Sequence, residues 1–230
     1  MTKIVGFGDS FVLGTEIPDN WKGLMGWPAL AARELGFDYE TPAVNGCGND
    51  HIARQIYSYF SSNETKNTLA VINWTWTQRW DFYITEKETW ITLGPTCVPA
   101  KLQKTVDETQ SHRLVEFYRD YGGKSILWNK VRSLQTIYAV QNFLNMLGVP
   151  SVQTFMDYHL FDETWHAPDY VKTLQGLVRK ELVNFGDKNF VDWSHDNGFE
   201  VTVPGNHPLL LAHQAAADMW APIYEAKVIV

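Results

Sequence analysis

The sequence predicts an α/β protein in which helices cover both faces of a parallel sheet. Short runs of apolar and β-branched residues alternate with longer segments of helical periodicity, and this alternation is typical of strand–helix–strand units. The chain has 230 residues, of which 45% are hydrophobic and 20% are charged, so it can fill one sizeable core. We therefore expect a single domain over residues 1–230.

Five segments are predicted to be strands because they are short and rich in apolar or β-branched residues. They are residues 3–7, 39–44, 69–74, 149–155 and 188–193. End signals mark the helices between them. Pro28 fits the first turn of a helix that ends before Gly36, and Gly148 with Pro150 stops the longest helix. The remaining helical segments, the longest included, are predicted at residues 49–60, 124–147, 168–184 and 208–225.

Residues 80–122 break this alternation between the third strand and the longest helix. They contain one amphipathic piece, at residues 106–121, and turn residues such as Gly94, Pro95 and Pro99. A segment that follows the carboxyl end of a strand overhangs the edge where an open sheet binds ligands. We interpret residues 80–122 as an insertion that is either a substrate-facing cap or a passive surface addition.

Composition excludes several classes of function. Lys and Arg number 19 against 26 Asp and Glu, and no basic run offers a track for phosphates, so we expect no nucleic-acid partner. Cys47 and Cys97 form no metal-binding motif and should be reduced thiols, and we predict no metal and no organic cofactor. No apolar stretch could cross a bilayer and the N-terminus enters a strand at once, so we expect a soluble protein, cytoplasmic when synthesised.

A Gly-Asp-Ser-Phe stretch at residues 8–11 directly follows the apolar run of the first strand. Ser10 therefore falls at the carboxyl end of a strand, where ligands collect in an open α/β sheet. A serine hydroxyl at that edge is a candidate nucleophile if a base takes its proton. The tripeptide alone also fits an ordinary turn, because Gly, Asp and Ser all favour turns.

His207 is the best candidate for that base. The Gly-Asn-His-Pro stretch at residues 205–208 precedes the last helix, and Pro208 can begin that helix and leave the imidazole at its mouth. Several other histidines fit packing or solvated positions better than a catalytic or metal-binding one. These are His51, His159, His166 and His213.

In their order along the chain, these segments resemble the SGNH, or GDSL, hydrolase family, and its phage-encoded members in particular. Residues 8–11 resemble the first block of the family, and residues 43–49, Ala-Val-Asn-Gly-Cys-Gly-Asn, resemble the second. The Trp-Thr-Trp-Thr-Gln-Arg stretch at residues 74–79 is similar to a Trp-Thr-x-x-x-Arg form of the third block, and residues 207–208 resemble the fifth. The resemblance runs from residue 4 to the last helix and covers the insertion least.

The resemblance implies a three-layer α/β/α sandwich with a five-stranded parallel sheet in flavodoxin-like order. It also implies ester hydrolysis through an acyl-enzyme, with Ser10 as the nucleophile and His207 as the general base. The backbone amides of Ser10 and Gly46 would hold the oxyanion. The substrate would be a small-molecule or carbohydrate ester. A phage-encoded protein of this kind would act in the host cytoplasm or be associated with the virion.

Two positions depart from the pattern of the family. Thr77 stands where the family has an asparagine that donates to the oxyanion, and Pro204 stands where it has an aspartate that orients the histidine. Losing one oxyanion donor costs about 3 to 4 kcal/mol, and disabling the orienting carboxylate costs roughly 10⁴-fold in a serine protease. The residues that could compensate are Thr77, Thr75 or Asn49 for the oxyanion, and Asp192, Asp196 or a backbone carbonyl for the imidazole.

Three residues are candidate substrate-binding groups: Asn49, Trp76 and Arg79. Arg79 could bind an anionic group or tie the insertion to the core. The tryptophans between residues 74 and 90 fit either core packing or a stacking surface for sugars and acyl groups. Two alternatives to the hydrolase stay open: a catalytically impaired binding or virion-associated protein of the same fold, and an acyltransferase that uses the same residues.

Overall fold

In the described part of the chain, four parallel strands form the sheet at the centre of the protein. The computed structural model describes residues 2–18, 23–63, 65–162, 168–203 and 205–228. The sheet has the order β2-β1-β3-β6, so the chain places strands on both sides of the first one, as in a doubly wound fold. The strands of the described residues are β1 (Lys3–Phe7), β2 (Asp38–Glu40), β3 (Thr68–Trp74), β4 (Trp80–Ile84), β5 (Thr89–Leu93) and β6 (Ser151–Phe155).

Helices pack on both faces of this sheet. None of the helices in the described part of the chain is long and apolar enough to cross a membrane. The α-helices of the described residues are α1 (Ser10–Leu13), α2 (Trp27–Glu34), α3 (Asn49–Ser62), α4 (Pro99–Leu102), α5 (Glu108–Phe117), α6 (Ile126–Leu147), α7 (Asp169–Arg179), α8 (Phe190–Asp196) and α9 (Leu210–Val228).

The two faces of β3 belong to two separate hydrophobic clusters. Side chains alternate along a strand, so Ile72 and Trp74 pack with the cluster of α3, α6 and α7. Leu69 and Val71 pack with the cluster of α2, α8 and α9 on the opposite face. Every residue of β3 is buried as a result, which explains the apolar run at residues 69–72. The three-layer sandwich predicted from the sequence is confirmed.

The predicted fifth strand at residues 188–193 is wrong, because most of this segment belongs to α8. Asn189 caps the helix, since its Oδ1 accepts a hydrogen bond of 2.8 Å from the backbone N–H of Asp192. The short apolar run that suggested a strand is the buried side of this helix, where Phe190 and Val191 pack in the core. At the outer edge of the sheet, Gln153 of β6 forms an isolated parallel bridge with Leu182 in place of a fifth strand.

The segment predicted as an insertion has a small core of its own. β4 and β5 pair antiparallel as a hairpin, with α4 and α5 following it. The sequence prediction found the amphipathic helix of this segment but not the hairpin. The buried side chains of this core are Ile91, Leu93, Leu102, Val106, Val115 and Tyr118.

Candidate active site

Ser10 is the first residue of α1 and stands just beyond the carboxyl end of β1. The buried side chain of Asp9 holds this turn: its Oδ1 accepts from the backbone N–H of Phe11 at 3.1 Å. The other carboxylate oxygen accepts from Arg79 Nη1 at 2.6 Å and from the Thr75 hydroxyl at 2.7 Å. The start of α1 is therefore tied to the segment that follows β3.

His207 reaches Ser10 from a loop close to the other end of the chain. Its Nε2 atom lies 2.8 Å from Ser10 Oγ. The backbone N–H of His207 donates to the Thr202 hydroxyl, and the N–H of Thr202 donates to the carbonyl of His207. The ring also packs against Phe11, with 5.0 Å between the ring centroids. The structure thus brings together the two residues that the sequence predicted as nucleophile and base.

The second imidazole nitrogen faces a residue that the sequence analysis did not identify. Glu16 Oε2 lies 3.4 Å from His207 Nδ1. The two carboxylates considered in its place are engaged elsewhere: Asp192 accepts from Asn189, and Asp196 forms an ion pair with Lys188. Pro204, which the sequence resemblance places at the position of an orienting aspartate, lies outside the described residues.

The turn that carries Gly46 is bonded to the nucleophile segment. The backbone N–H of Val44 donates to the Gly8 carbonyl at 3.2 Å, and the Cys47 thiol donates to the same carbonyl at 3.4 Å. Gly46 has a φ of 72°, a left-handed conformation that favours glycine. Burial raises the pKa of the Cys47 thiol, so the thiol that donates to Gly8 stays protonated.

Thr77 lies at the site but is bound to a buried carboxylate. Its backbone N–H and its hydroxyl both donate to Asp157 Oδ2, at 2.9 and 2.7 Å. A hydroxyl has one proton, so in this arrangement Thr77 has none to give to an oxyanion. Asp157 comes directly after Met156 beyond β6, and the sequence analysis assigned it no part in the site. Both residues of this pair are buried.

Asn49 does not face the cleft, which corrects its prediction as a substrate-binding residue. Its side chain is buried, and Oδ1 accepts from the backbone N–H of Thr75 at 2.8 Å. Its Nδ2 donates to the Thr75 carbonyl and to the Ser133 hydroxyl, both at 3.2 Å. These bonds engage both polar atoms of the side chain within the fold, and they fix α3 against the end of β3.

Trp76 and Arg79 line a cavity of about 500 Å³ at this edge of the sheet. Tyr158 and His159 come from the segment after β6, and Pro95 comes from the insertion. Arg79 lines the cavity, and its guanidinium also pairs with buried Asp9.

A second cavity, of about 480 Å³, lies between Gly46 and the insertion. Trp90 of β5 lines it and is 42% exposed, with the Arg54 guanidinium 3.3 Å from its ring centroid. Trp74, by contrast, is fully buried and donates to Gln153. The aromatic residues of this region therefore divide between the core and the cavity walls.

His213 is a packing residue, as the sequence predicted. It is buried in α9, where its Nδ1 accepts from the backbone N–H of Trp27 at 3.0 Å. Burial lowers its pKa to about 3, so the ring is neutral at physiological pH. His51 lies in the first turn of α3, where burial also lowers its pKa. His166 falls outside the described residues.

Two solved structures with this fold span nearly the whole chain. A member of the lipolytic protein G-D-S-L family from Veillonella parvula matches with a TM-score of 0.54 at 10% identity, over 98% of this chain and 99% of that one. The psychrotrophic esterase EstA from Pseudoalteromonas sp., in a structure inhibited by monoethylphosphonate, matches with a TM-score of 0.51 at 12% identity, over 98% of each chain.

Sequence comparison alone finds no such likeness. No known family model matches this sequence, and no curated protein matches it. At identities of 10% and 12% the structural likeness shows a shared fold. The protein has the α/β fold of the G-D-S-L, or SGNH, hydrolases, with four parallel strands among its described residues where the sequence predicts five.

Proposed function

We propose that the protein is a serine ester hydrolase in which Ser10 is the nucleophile and His207 is the general base. The observation that carries the proposal is the distance of 2.8 Å between His207 Nε2 and Ser10 Oγ. A base that takes a proton from a nucleophile needs a separation of about 2.6 to 3.2 Å. This contact favours a working dyad over a catalytically impaired binding protein of the same fold.

The reaction proceeds through an acyl-enzyme. Ser10 Oγ attacks the ester carbonyl carbon while its proton passes to His207 Nε2. The tetrahedral intermediate then collapses, and the leaving alcohol takes that proton. Water attacks the acyl-enzyme, passes a proton to Nε2, and the carboxylic acid leaves as Ser10 recovers its proton.

The oxyanion is held by the backbone amides of Ser10 and Gly46. Within the part of the chain that the structure describes, neither amide proton is taken by another hydrogen bond. Ser10 is the first residue of a helix, and the N–H groups of a first helical turn have no partner inside the helix. Amides held by the fold stabilise a developing charge without reorganisation. Thr77 is left out because its hydroxyl donates to Asp157.

The proposed substrate is a small-molecule or carbohydrate ester with a short acyl group. The cavity beside Trp76 and Arg79 holds about 500 Å³, which suits a ligand of that size. Ser10 and His207 are not among its lining residues, and Arg79, which pairs with Asp9 beside Ser10, connects the cavity to the dyad. Trp76 offers an apolar face and Arg79 a cation at the same wall. The form of residues 74–79 supports a phage-type member of the fold within this proposal.

Hydrolysis of p-nitrophenyl acetate tests the proposal. We expect wild type to hydrolyse the ester, and Ser10→Ala and His207→Gln to lose at least about 10⁴-fold in kcat, because the two residues act as one unit. Thr202→Ser, which changes a residue of the same loop while retaining a hydroxyl, is the matched control. Equal rates for wild type and Ser10→Ala would contradict the proposal.

Addition of a carbohydrate acceptor distinguishes hydrolysis from acyl transfer, which would use the same Ser10 and His207. Hydrolysis predicts free acetate as the product with and without the acceptor. An acylated acceptor formed at the expense of acetate would instead identify an acyltransferase.

A further inference from the structure

We propose that Glu16 is the positioning carboxylate of His207, in the role for which the sequence offers only Pro204 at the usual place. This inference rests on the proposed function, since the imidazole concerned is the one that serves Ser10. Glu16 follows α1 closely, so it comes from the nucleophile side of the site and not from the loop that carries the histidine. Its Oε2 atom lies 3.4 Å from His207 Nδ1.

The Nδ1 atom needs an acceptor. It is buried and has no hydrogen-bond partner among the described residues. Buried polar atoms are nearly always bonded, so this atom calls for an explanation. The 3.4 Å contact is longer than the usual N–H···O length of about 2.7 to 3.2 Å. Catalytic hydrogen bonds are often long before substrate binds and tighten in the Michaelis complex.

The backbone around the pair is shaped to bring the two groups together. A Cβ atom on Gly205 would lie 2.7 Å from His207 Nδ1 and 3.0 Å from each carboxylate oxygen of Glu16. A side chain at position 205 would therefore separate the pair. Glu16 itself has a φ of 72°, which is uncommon for a residue other than glycine. Such conformations occur preferentially at functional sites.

The other carboxylates considered for this role are held elsewhere. Asp192 accepts from its helix cap Asn189, and Asp196 pairs with Lys188. Among the described residues, Glu16 forms no ion pair other than its contact with His207. Its side chain is 43% exposed, so it can rotate and shorten the contact.

A carboxylate at this position acts on the state of the imidazole. His207 Nε2 has to be unprotonated to accept the Ser10 proton, so the neutral ring must carry its proton on Nδ1. A carboxylate beside Nδ1 favours that tautomer, holds the ring plane, and stabilises the imidazolium formed during acyl transfer. Glu16 is a positioning residue in this account, because it acts through His207.

Kinetics of Glu16→Gln and Glu16→Asp give the first readout. Glu16→Gln removes the charge at nearly constant shape, and we expect kcat/KM for p-nitrophenyl acetate to fall about 100-fold, below the roughly 10⁴-fold of a buried aspartate in a serine protease. Glu16→Asp keeps the charge and should recover at least about tenfold of that loss. Glu88→Gln is the matched control, because Glu88 is also exposed and also has a left-handed backbone, with a φ of 48°.

Nitrogen NMR of protein labelled with ¹⁵N-histidine gives a second readout, which a purely structural role would not move. In the neutral ring, we expect wild-type His207 to carry its proton on Nδ1. Glu16→Gln should shift the proton toward Nε2, and Glu88→Gln should not. The His207 signals are assigned by their loss in His207→Gln.

The two readouts separate this inference from the proposed function. A wild-type tautomer that persists in Glu16→Gln overturns the positioning role, whatever the activity. Activity of Glu16→Gln within twofold of Glu88→Gln overturns it as well. If wild type hydrolyses no ester but its tautomer depends on Glu16, the proposed function fails and the contact between Glu16 and His207 is supported.

Discussion

The turn that presents Ser10 is organised by one buried charge. Asp9 is fully buried and has three hydrogen-bond donors: the N–H of Phe11, the Thr75 hydroxyl and the Arg79 guanidinium. A buried carboxylate that loses its cation is strongly destabilised. Arg79 therefore holds Asp9, and through it the turn on which Ser10 lies.

Because Arg79 holds buried Asp9, replacing Arg79 should lower the stability of the protein. We expect Arg79→Leu to lower the free energy of unfolding by about 3 kcal/mol, because it leaves the Asp9 charge buried and unpaired. Arg119→Leu, at an exposed position, should change it by less than about 0.5 kcal/mol. Urea unfolding measures both variants. An Arg79→Leu protein as stable as Arg119→Leu would show that the ion pair does not hold this turn.

Site residues that belong to a sequence motif could be predicted, and site residues outside any motif could not. Ser10 and His207 belong to short stretches at predicted strand and helix ends, and the structure brings them into contact. Glu16 belongs to no motif and meets His207 only because the chain folds the turn after α1 under the loop before α9. Thr77 shows the same limit, since its partner Asp157 lies on another strand end.

Helix α9 provides a hydrogen-bond acceptor for the N-terminus of α2. His213 of α9 accepts from the backbone N–H of Trp27, the first residue of α2. Gly26 occupies the N-cap position of α2 and has no side chain that could cap it. The first N–H groups of a helix have no partner within it, so this contact satisfies one of them. Burial lowers the pKa of His213 to about 3, and the contact requires the neutral ring.

This contact makes stability depend on pH. An unfolded histidine titrates near pH 6.5 and the folded His213 near 3, so between these values only the unfolded state binds the proton. The contribution of neutral His213 to the free energy of unfolding is present above about pH 6.5. Below that pH it falls by about 1.4 kcal/mol for each pH unit. We expect wild type to lose about 2 kcal/mol more than His213→Asn between about pH 7 and pH 5. Parallel unfolding curves for the two proteins would contradict this.

A helix or strand could be predicted from the sequence where one local signal, such as a helix-ending glycine, was clear. The longest helix was predicted to stop at Gly148, and α6 ends there with that glycine in a left-handed conformation. Residues 188–193 were misjudged because a short apolar run fits a buried strand and a buried helix equally well, and the cap Asn189 decides between them. The β4–β5 hairpin was missed although Trp80, Phe82 and Ile84 alternate on one face.

Asp81 of β4 joins the segment predicted as an insertion to the sandwich. Its carboxylate accepts from the backbone N–H groups of Gly48 and His51, at 3.3 and 2.8 Å, and from the Thr92 hydroxyl at 2.6 Å. Gly48 has no side chain with which to cap α3, so the insertion supplies the cap. The turn that carries Gly46 immediately precedes this contact.

Removing the carboxylate should weaken the whole fold slightly. We expect Asp81→Ala to lower the free energy of unfolding by about 1 to 2 kcal/mol, as for the loss of a helix cap. Glu86→Ala, at an exposed position between β4 and β5, is the control and should have little effect. Thermal unfolding that does not distinguish Asp81→Ala from Glu86→Ala would show that the insertion does not cap α3.

Covalent labelling of Ser10 shows whether His207 activates its hydroxyl. A fluorophosphonate probe reacts with a serine only when a base activates it, so it reports the dyad without knowledge of the substrate. We predict one probe per wild-type molecule, located by peptide mass spectrometry on Ser10, with none on Ser10→Ala and labelling at least about 100-fold slower for His207→Gln. Wild type that stays unmodified under conditions that label a control esterase would contradict the account.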